Sequence, residues 1–205
     1  MSKVVVTNNV TLDGVMQAPA RPDEDTRGGF THGGWAIPYN DAVMASVMAE
    51  RMAEGMSKGG ALLLGRRTYE DFYAVWPNRT DNPYTEVLNN SQKYVASTTL
   101  REPLPWQNST LLRGDAAEAV ARLKEESGKD LVILGSGELV QSLMRRNLVD
   151  EYVLLIHPLV LGSGFRLFTD GSAFAALRLV DTSTTTTGVV IATYQPAEPT
   201  ARKTT

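Results

Sequence analysis

Short, continuous runs of hydrophobic residues alternate along this chain with segments whose apolar residues recur every three or four positions. The runs at 4–7, 61–64 and 131–134 have the length of a strand and little polar alternation, so they predict strands buried on both faces of a sheet. The periodic segments predict the helices between them. We predict helices at 41–55, 68–75, 115–124 and 139–146, with Asn40 or Asp41 capping the first, Gly55 ending it and Thr68 capping the second.

Further hydrophobic runs complete the predicted sheet. They lie at 93–97, 109–113 and 152–161, and a closing hairpin is predicted from 177–184 and 189–194. Strands that alternate with helices and end in two strands without a helix predict an α/β fold, with a mixed, mostly parallel sheet and an antiparallel C-terminal hairpin. We expect one domain over residues 1–195 and a disordered tail over 196–205.

Two early segments show neither pattern. Residues 9–14 predict a loop after the first strand. Residues 17–34 are rich in proline, glycine and charge, so they predict a mobile surface loop or a solvated insertion.

Composition narrows the classes of partner. The 205 residues carry a net charge of −3, so no nucleic-acid partner is expected. No apolar run approaches the ~20 residues that span a bilayer, and the first residues are too soon polar for a signal peptide, so no membrane partner is expected. There is no cysteine, which excludes disulfides and thiolate metal sites, and no metal is predicted. We expect a cytoplasmic protein.

Two of the buried strands run into a glycine and then a helix start. The first junction reads Gly65-Arg66-Arg67-Thr68 and the second Gly135-Ser136-Gly137. A glycine there lets an anion approach the backbone, helix N–H groups can hold it, and an arginine can take a terminal phosphate. The two junctions therefore suggest one phosphate-rich cofactor across the sheet end. The alternatives are a glycine turn before a solvated basic pair, and a tight turn with a serine cap.

Five motifs in a fixed order carry a resemblance that covers 4–194. They are Thr11-Leu12-Asp13-Gly14, then 65–70, 93–98 and 135–139, and finally 148–152 continuing through Pro158, Gly162, Gly164 and Leu167-Phe168. In this order the chain resembles the dihydrofolate reductase superfamily, and more closely the reductase domain of the bifunctional deaminase-reductases of riboflavin biosynthesis. The resemblance implies a three-layer dihydrofolate reductase-like fold. It also implies an NADPH-dependent reductase that transfers hydride to a small pteridine-like or ribosylaminopyrimidine-like heterocycle.

The same resemblance implies where NADPH would bind. Gly65, Arg66 and Thr68, with Arg67 beside them, would hold the 2′-phosphate side of the cofactor. Ser97 and Thr98 would lie by the adenosine, and Val10 near the nicotinamide. The pyrophosphate would lie over the turn formed by Gly135, Ser136, Gly137, Glu138 and Leu139. The family also implies a homodimer formed through the strand at 151–161, although such a strand can equally be internal.

Two aspartates and one tryptophan are the candidate catalytic and substrate-binding residues. Asp13 lies in the loop expected to face the nicotinamide, and Asp41 lies one residue after the position of the pterin-binding carboxylate in true dihydrofolate reductases. Asp13 could instead serve a turn, and Asp41 could cap a helix. Trp35 is expected to touch substrate or nicotinamide, or to cover the core. His157 is expected to be a satisfied core or interface histidine.

Two functional questions stay open at the sequence level. Riboflavin-pathway reductases bind a ribose phosphate with basic side chains. In this chain the candidates near the early loop and helix are Arg21, Arg27 and Arg51. The alternative to an enzyme is a non-catalytic sensor or scaffold that keeps the nucleotide site.

Overall fold

A computed structural model of the chain describes residues 2–57, 59–82, 84–126 and 128–197. The helices are α1 (Ala42–Ser57), α2 (Arg66–Val75), α3 (Tyr84–Asn90), α4 (Ala116–Glu126) and α5 (Gly137–Met144). The strands are β1 (Val4–Thr11), β2 (Ala61–Gly65), β3 (Lys93–Ala96), β4 (Ser109–Leu112), β5 (Leu131–Leu134), β6 (Glu151–His157), β7 (Leu177–Thr184) and β8 (Val190–Pro196).

The strands form a single sheet in the order β4-β3-β2-β5-β1-β6-β8-β7. Neighbours from β4 to β6 pair in parallel, whereas β8 is antiparallel to both β6 and β7. The predicted α/β fold with its antiparallel C-terminal hairpin is therefore confirmed. β6 lies between β1 and β8, so it is an internal strand and offers no free edge to a second subunit.

Helices cover both faces of the sheet because successive side chains of each strand point to opposite faces. On one face, Leu63 of β2 packs into a cluster with α4 and α5. On the other face, Leu62 and Leu64 pack with α2 and α3. The first helix, α1, covers β6 and β8 on this second face through Met44, which is buried with strand residues.

Several predicted boundaries differ from the structure. β1 continues to Thr11, so residues 9–11 belong to the strand and not to the predicted loop. α2 begins at Arg66 with Gly65 as its N-cap, and Thr68 is therefore not the cap. The helix α3 was not predicted, because its seven residues carry little periodic apolar pattern. Pro196 ends β8, so its assignment to the tail is wrong, while residues 198–205 lie outside the described part of the chain.

Tertiary contacts hold the segment at 17–34, which its composition predicts to be a mobile loop or a solvated insertion. Gln17 is buried, and its side-chain amide donates to the carbonyl oxygens of Asp25 and Arg27 at 3.1 and 3.0 Å. Its Oε1 accepts the amide hydrogen of Phe165 at 2.9 Å. Phe30 packs into a small apolar cluster with Val15 and Trp35. The segment is thus a folded loop with its own core and not a solvated insertion.

Candidate cofactor and substrate site

The two glycine junctions meet at the carboxyl ends of adjacent strands. β2 and β5 pair in parallel, so Gly65 and Gly135 follow their strands at the same end of the sheet. The Gly65 amide donates to the hydroxyl oxygen of Ser136 at 3.0 Å, and that hydroxyl donates to Thr68 Oγ1 at 2.9 Å. The sequence-based expectation that one nucleotide could bridge both turns therefore has the geometry it needs.

Backbone conformation explains the glycines of the second turn. Gly135 and Ser136 both lie in the left-handed region, with φ of 68° and 58°, a conformation that glycine adopts without strain. A Cβ built on Gly137 would lie 2.7 Å from the sulfur of Met16, so a larger residue would displace that side chain. The turn therefore needs its glycines both for its path and for the close approach of the early loop.

In neither turn does a side chain cap the helix that follows. Gly65, the N-cap residue of α2, has no side chain. Ser136 is the N-cap residue of α5, but its side chain makes no capping hydrogen bond. Its hydroxyl is turned toward the neighbouring junction instead, which excludes the simple serine-cap alternative. The N–H groups of two helix first turns, with their positive dipole ends, therefore face the same region, an arrangement suited to phosphate groups.

Both arginines of the first junction are paired with carboxylates near the surface. Arg66 contacts Glu70 one turn along α2 at 2.9 Å. Arg67 contacts Glu138 at 3.0 Å and so joins the first turn of α2 to the first turn of α5. All four side chains are more than a third exposed, so these pairs are weak and can exchange one partner for a ligand phosphate.

The other predicted cofactor residues follow the same edge of the sheet. Ser97 and Thr98 come directly after β3, whose last residue Ala96 pairs with Gly65. The Ser97 hydroxyl accepts the amide hydrogens of Thr99 and Leu100 at 3.1 and 3.0 Å, which shapes this turn. On the opposite side of β5, Val10 lies buried near the end of β1. The structure thus brings all the predicted cofactor residues to one end of four neighbouring strands.

Asp13 has partners that keep its carboxylate ionised. It accepts hydrogen bonds from the Thr11 hydroxyl at 2.6 Å and from the amides of Leu161 and Gly162 at 3.2 and 2.9 Å. Arg166 Nη2 lies 3.5 Å from Asp13 Oδ2. The hydrogen bond from Thr11 and the two amides lower the pKa of Asp13 to about 2. At neutral pH this group is a clamp between two loops and not a proton donor.

Asp41 is held at the start of α1. One carboxylate oxygen accepts the amide hydrogen of Met44 at 2.8 Å, as in an N-cap. The other accepts the amide and hydroxyl hydrogens of Thr186 at 2.7 and 2.6 Å. These bonds lower the pKa of Asp41. Its observed contacts match the capping alternative, and a catalytic role for Asp41 stays a prediction.

A buried polar cluster beside β1 was not identified from the sequence. His157, the last residue of β6, is fully buried, and its Nε2 lies 2.9 Å from Asn9 Oδ1. The rings of Trp35 and Tyr39 meet the imidazole edge-on, with centroids at 5.1 and 5.4 Å. Trp35 donates its indole N–H to the carbonyl oxygen of Gln17 at 2.7 Å. The available signal was a polar residue inside each of two apolar strands.

Comparison with known proteins identifies the family. The sequence profile of the RibD C-terminal domain matches residues 2–191. The chain belongs to the RibD C-terminal domain family. The protein YyaP of Bacillus subtilis (strain 168) is 34% identical over 139 residues, which is 65% of this chain and 72% of YyaP. The resemblance inferred from the sequence motifs is therefore confirmed.

Solved structures agree on the fold. A protein of Shewanella sp. PV-4, provisionally named for riboflavin biosynthesis, superposes with a TM-score of 0.69 at 21% identity, over 96% of this chain and 99% of that one. Dihydrofolate reductase from Enterococcus faecalis, complexed with NADP(H) and RAB-propyl, superposes with a TM-score of 0.59 at 13% identity, over 96% of this chain and 97% of that one. The chain therefore has the dihydrofolate reductase-like fold.

The described residues contain neither a membrane-spanning helix nor a cluster of metal-binding side chains. No helix among them has the length and hydrophobicity needed to cross a bilayer. Within the same residues, no group of three or more histidine, aspartate and glutamate side chains is arranged to hold a metal ion.

Proposed function

We propose that this protein is an NADPH-dependent reductase that transfers hydride to a small pteridine-like or ribosylaminopyrimidine-like heterocycle. The observation that carries the proposal is the hydroxyl of Ser136, which ties the Gly65 junction to the Gly135 junction. Two helix starts and an arginine pair are thereby directed to one region of the sheet edge. Membership of a reductase family supports the same chemistry.

The residues of this edge fit the phosphates of NADPH. The first-turn amides of α2 and α5 suit a pyrophosphate, and Arg66 suits the 2′-phosphate because a guanidinium binds phosphate in a bidentate manner. When bound, the cofactor supplies the hydride. Since hydride transfer depends on position and on exclusion of water, the task left to this chain is to hold the two rings against each other.

The walls of the site suit that task. Buried Val10 belongs to the apolar cluster that β1 forms with α4 and α5, and buried Asn8 lies between it and Val6 on the same face of the strand. Trp35 lies in a separate apolar cluster with Val15 and Phe30, in the folded loop that follows β1. At neutral pH Asp13 is an anion and cannot deliver the substrate proton. In this proposal, Asp13 fixes the loop that faces the nicotinamide, and the proton comes from another source.

The test compares the two nicotinamide cofactors. NADPH and NADH are titrated against the wild-type protein and against Arg66→Ala, Arg67→Ala and Arg79→Ala. Arg79 is an exposed arginine paired with Asp81 outside the site, so it is a matched control. We expect Arg66→Ala to weaken NADPH at least tenfold and NADH little, and Arg79→Ala to change neither. Equal losses for both cofactors would refute the assignment of Arg66.

Turnover separates an enzyme from a nucleotide sensor. NADPH absorbance is followed with pterin, dihydropteridine and ribosylaminouracil acceptors. Oxidation of NADPH that depends on one acceptor supports the reductase. Tight NADPH binding with no oxidation by any acceptor would favour a non-catalytic sensor or scaffold.

We also propose a cytoplasmic homodimer, with the contact on the C-terminal hairpin rather than along β6. Support comes from Phe174, Leu179 and Val180, which are 87%, 54% and 45% exposed in and just before the edge strand β7. A second copy would bury these side chains, and a two-fold axis makes the contact self-complementary. Light scattering should give twice 22.3 kDa, and Leu179→Lys should reduce it to the monomer mass. A wild-type mass near 22.3 kDa would refute the dimer.

A further inference from the structure

The folded loop at 17–34 presents one arginine close to the first turn of α5. Just before this loop, Met16 donates its amide hydrogen to the carbonyl oxygen of Phe165 at 2.9 Å, and its side chain packs against Gly137, the first residue of α5. Phe165 in turn contacts Arg27, whose guanidinium carbon lies 4.6 Å from the centroid of the phenyl ring. Met16 and Phe165 therefore connect Arg27 to the turn where the pyrophosphate is proposed to bind.

A buried glutamine fixes both partners of this contact. Gln17 is 4% exposed. Its side-chain amide donates to the carbonyl oxygen of Arg27 at 3.0 Å, and its Oε1 accepts the amide hydrogen of Phe165 at 2.9 Å. The backbone of Arg27 and the ring beside its guanidinium are thus held by the fold itself. An arginine placed in this way has less conformational freedom to lose when it binds an anion.

Arg27 also interacts with a carboxylate at the start of α5. The hydrogen bonds from Arg27 to Asp25 raise the pKa of the guanidinium, and the charge of Glu138 raises it further. Glu138 lies in the first turn of α5 and contacts Arg67 at 3.0 Å. One carboxylate in this turn therefore interacts with two guanidinium groups, one from the loop and one from α2. The first-turn amides and the positive end of the helix dipole favour an anion at the same place.

The carboxylates around Arg27 can exchange with a ligand phosphate. The side chains of Arg27 and Asp25 are 41% and 22% exposed, and that of Glu138 is 84% exposed, so water weakens these interactions. A pyrophosphate carries more negative charge than one carboxylate, and its oxygens can accept from a guanidinium in a bidentate manner. Asp25 also accepts the backbone amide hydrogen of Arg27 at 3.1 Å, a contact that does not depend on where the guanidinium points.

Arg21 is another arginine of the same loop, and it is directed elsewhere. Its guanidinium donates to the carboxylate of Asp71, which lies in the middle of α2 and not at a helix start. The carboxylates that raise the pKa of Arg21 are those of Asp71, Glu24 and Asp23. Removing the Arg21 side chain therefore breaks a contact of the loop without removing a charge from the α5 turn. Arg21 is for this reason a matched control for Arg27.

We propose that Arg27 is a cofactor-binding residue, whose guanidinium donates to the pyrophosphate of the nicotinamide cofactor beside the first turn of α5. The pyrophosphate takes the place of Glu138 as the anion that Arg27 and Arg67 share. The inference rests on the proposed reductase function and adds a residue of the folded loop to its cofactor site. NADPH and NADH both contain the pyrophosphate, so Arg27 strengthens the binding of both, whereas Arg66 is assigned to the 2′-phosphate that distinguishes them.

Cofactor fragments test this assignment. NADPH, NADH and ADP-ribose contain a pyrophosphate, and 2′-AMP does not. All of them are titrated by calorimetry against the wild-type protein, Arg27→Ala and Arg21→Ala. We expect Arg27→Ala to weaken the pyrophosphate compounds about tenfold and by equal factors, because each loses a charge-assisted contact, and to leave 2′-AMP unchanged. Arg21→Ala should bind every compound as the wild-type protein does.

Each contrary result has a separate meaning. Unchanged Kd values for NADPH and NADH in Arg27→Ala would overturn the proposal and leave Arg27 as a candidate for the ribose phosphate of a substrate. A loss confined to NADPH would move Arg27 to the 2′-phosphate, and an equal loss for 2′-AMP or in Arg21→Ala would reduce its role to holding the loop; either result overturns the proposal. A wild-type protein that binds neither NADPH nor NADH would refute the reductase function, and this inference with it.

Charge and salt give a second arm. Arg27→Lys keeps the positive charge without the planar fork, so it should recover part of the lost affinity. The loss in Arg27→Ala should shrink as the salt concentration rises, because ions screen the contact. Urea denaturation of Arg27→Ala and Arg21→Ala shows whether the two variants are equally well folded. An Arg27→Lys variant that binds no better than Arg27→Ala, together with a loss that salt does not change, would overturn the proposed contact.

Discussion

The hydroxyl of Ser136 accepts the amide hydrogen of Gly65 at 3.0 Å, across the gap between two parallel strands. Through this contact the turn after β5 fixes the turn after β2, and the hydroxyl in turn donates to Thr68 in the first turn of α2. A serine that capped its own helix could not do this. The two phosphate-facing turns are therefore held as one unit before any ligand arrives, which reduces the ordering cost of binding.

Ser136→Ala should weaken both the fold and the site. It removes two hydrogen bonds at part-buried atoms, so we expect a loss of about 1–2 kcal/mol in the free energy of unfolding. NADPH affinity should fall by roughly tenfold, because the two turns would no longer be fixed relative to each other. Urea denaturation and fluorescence titration measure the two effects. Ser46→Ala, an exposed serine of α1, is the control, and an unchanged NADPH Kd in Ser136→Ala would contradict the joint site.

Glu138→Gln should tighten NADPH binding. Glu138 places a negative charge in the first turn of α5, where the pyrophosphate is proposed to bind, and it also occupies Arg67. Removing that charge frees the guanidinium and removes a repulsion, an effect of about 0.3–1 kcal/mol that salt should screen. We therefore expect an affinity gain of about two- to fivefold at low ionic strength.

The control for this prediction is Glu118→Gln, because Glu118 is the acidic residue in the first turn of α4. That helix follows β4, which is two strands from β2 and three from β5, so NADPH affinity should change less than in Glu138→Gln. Weaker NADPH binding in Glu138→Gln would show that the carboxylate contributes to the site by positioning Arg67.

The fold could be read from the sequence where one local rule decided the outcome. Four apolar residues in a row predicted each of the buried strands β2 and β5. The glycine that follows the apolar run of each strand predicted that the two strands end at one cofactor-binding edge of the sheet. The folded loop could not be read, because its order depends on Gln17 reaching the distant Asp25, Arg27 and Phe165. Composition describes such a segment as polar, whereas its stability comes from tertiary contacts.

The same limit applies to polar residues within strands. Lys93 begins β3 and is fully buried, with its ammonium donating to the carbonyl oxygens of Leu88 and Ser91 at 2.8 and 2.7 Å. His157 was expected to be a satisfied core histidine, yet one of its nitrogens has no partner in the described residues. Strand patterns predict which face a residue occupies, but only the packed structure shows whether a buried polar group is satisfied.

Asp13→Asn should destabilise the protein at neutral pH and less so in acid. The folded-state pKa of about 2 lies below the ordinary aspartate value of 3.8, so ionised Asp13 contributes about 2 kcal/mol of stability above pH 3.8. That contribution is lost as the pH falls from 3.8 toward 2. Urea denaturation at pH 7 and pH 3 should show the penalty of the variant shrinking at the lower pH. Asp170→Asn, an exposed aspartate, is the control, and a penalty equal at both pH values would contradict the assigned clamp.

His157 should make the protein less stable as the pH falls below neutrality. Its folded-state pKa of about 4 lies below the ordinary histidine value of 6.5, because burial disfavours the imidazolium. Between these values the unfolded chain binds a proton that the folded chain does not, so stability falls by about 3 kcal/mol from pH 6.5 to pH 4 and is constant above that range. The variant His157→Gln has no titrating group there and should show a flatter profile, while His32→Gln should follow the wild type. Denaturation curves collected at half-unit pH steps measure the difference between the profiles. Parallel profiles for wild type and His157→Gln would mean that the imidazole binds a proton as readily in the folded protein as in the unfolded chain, and they would contradict the effect of burial on its pKa.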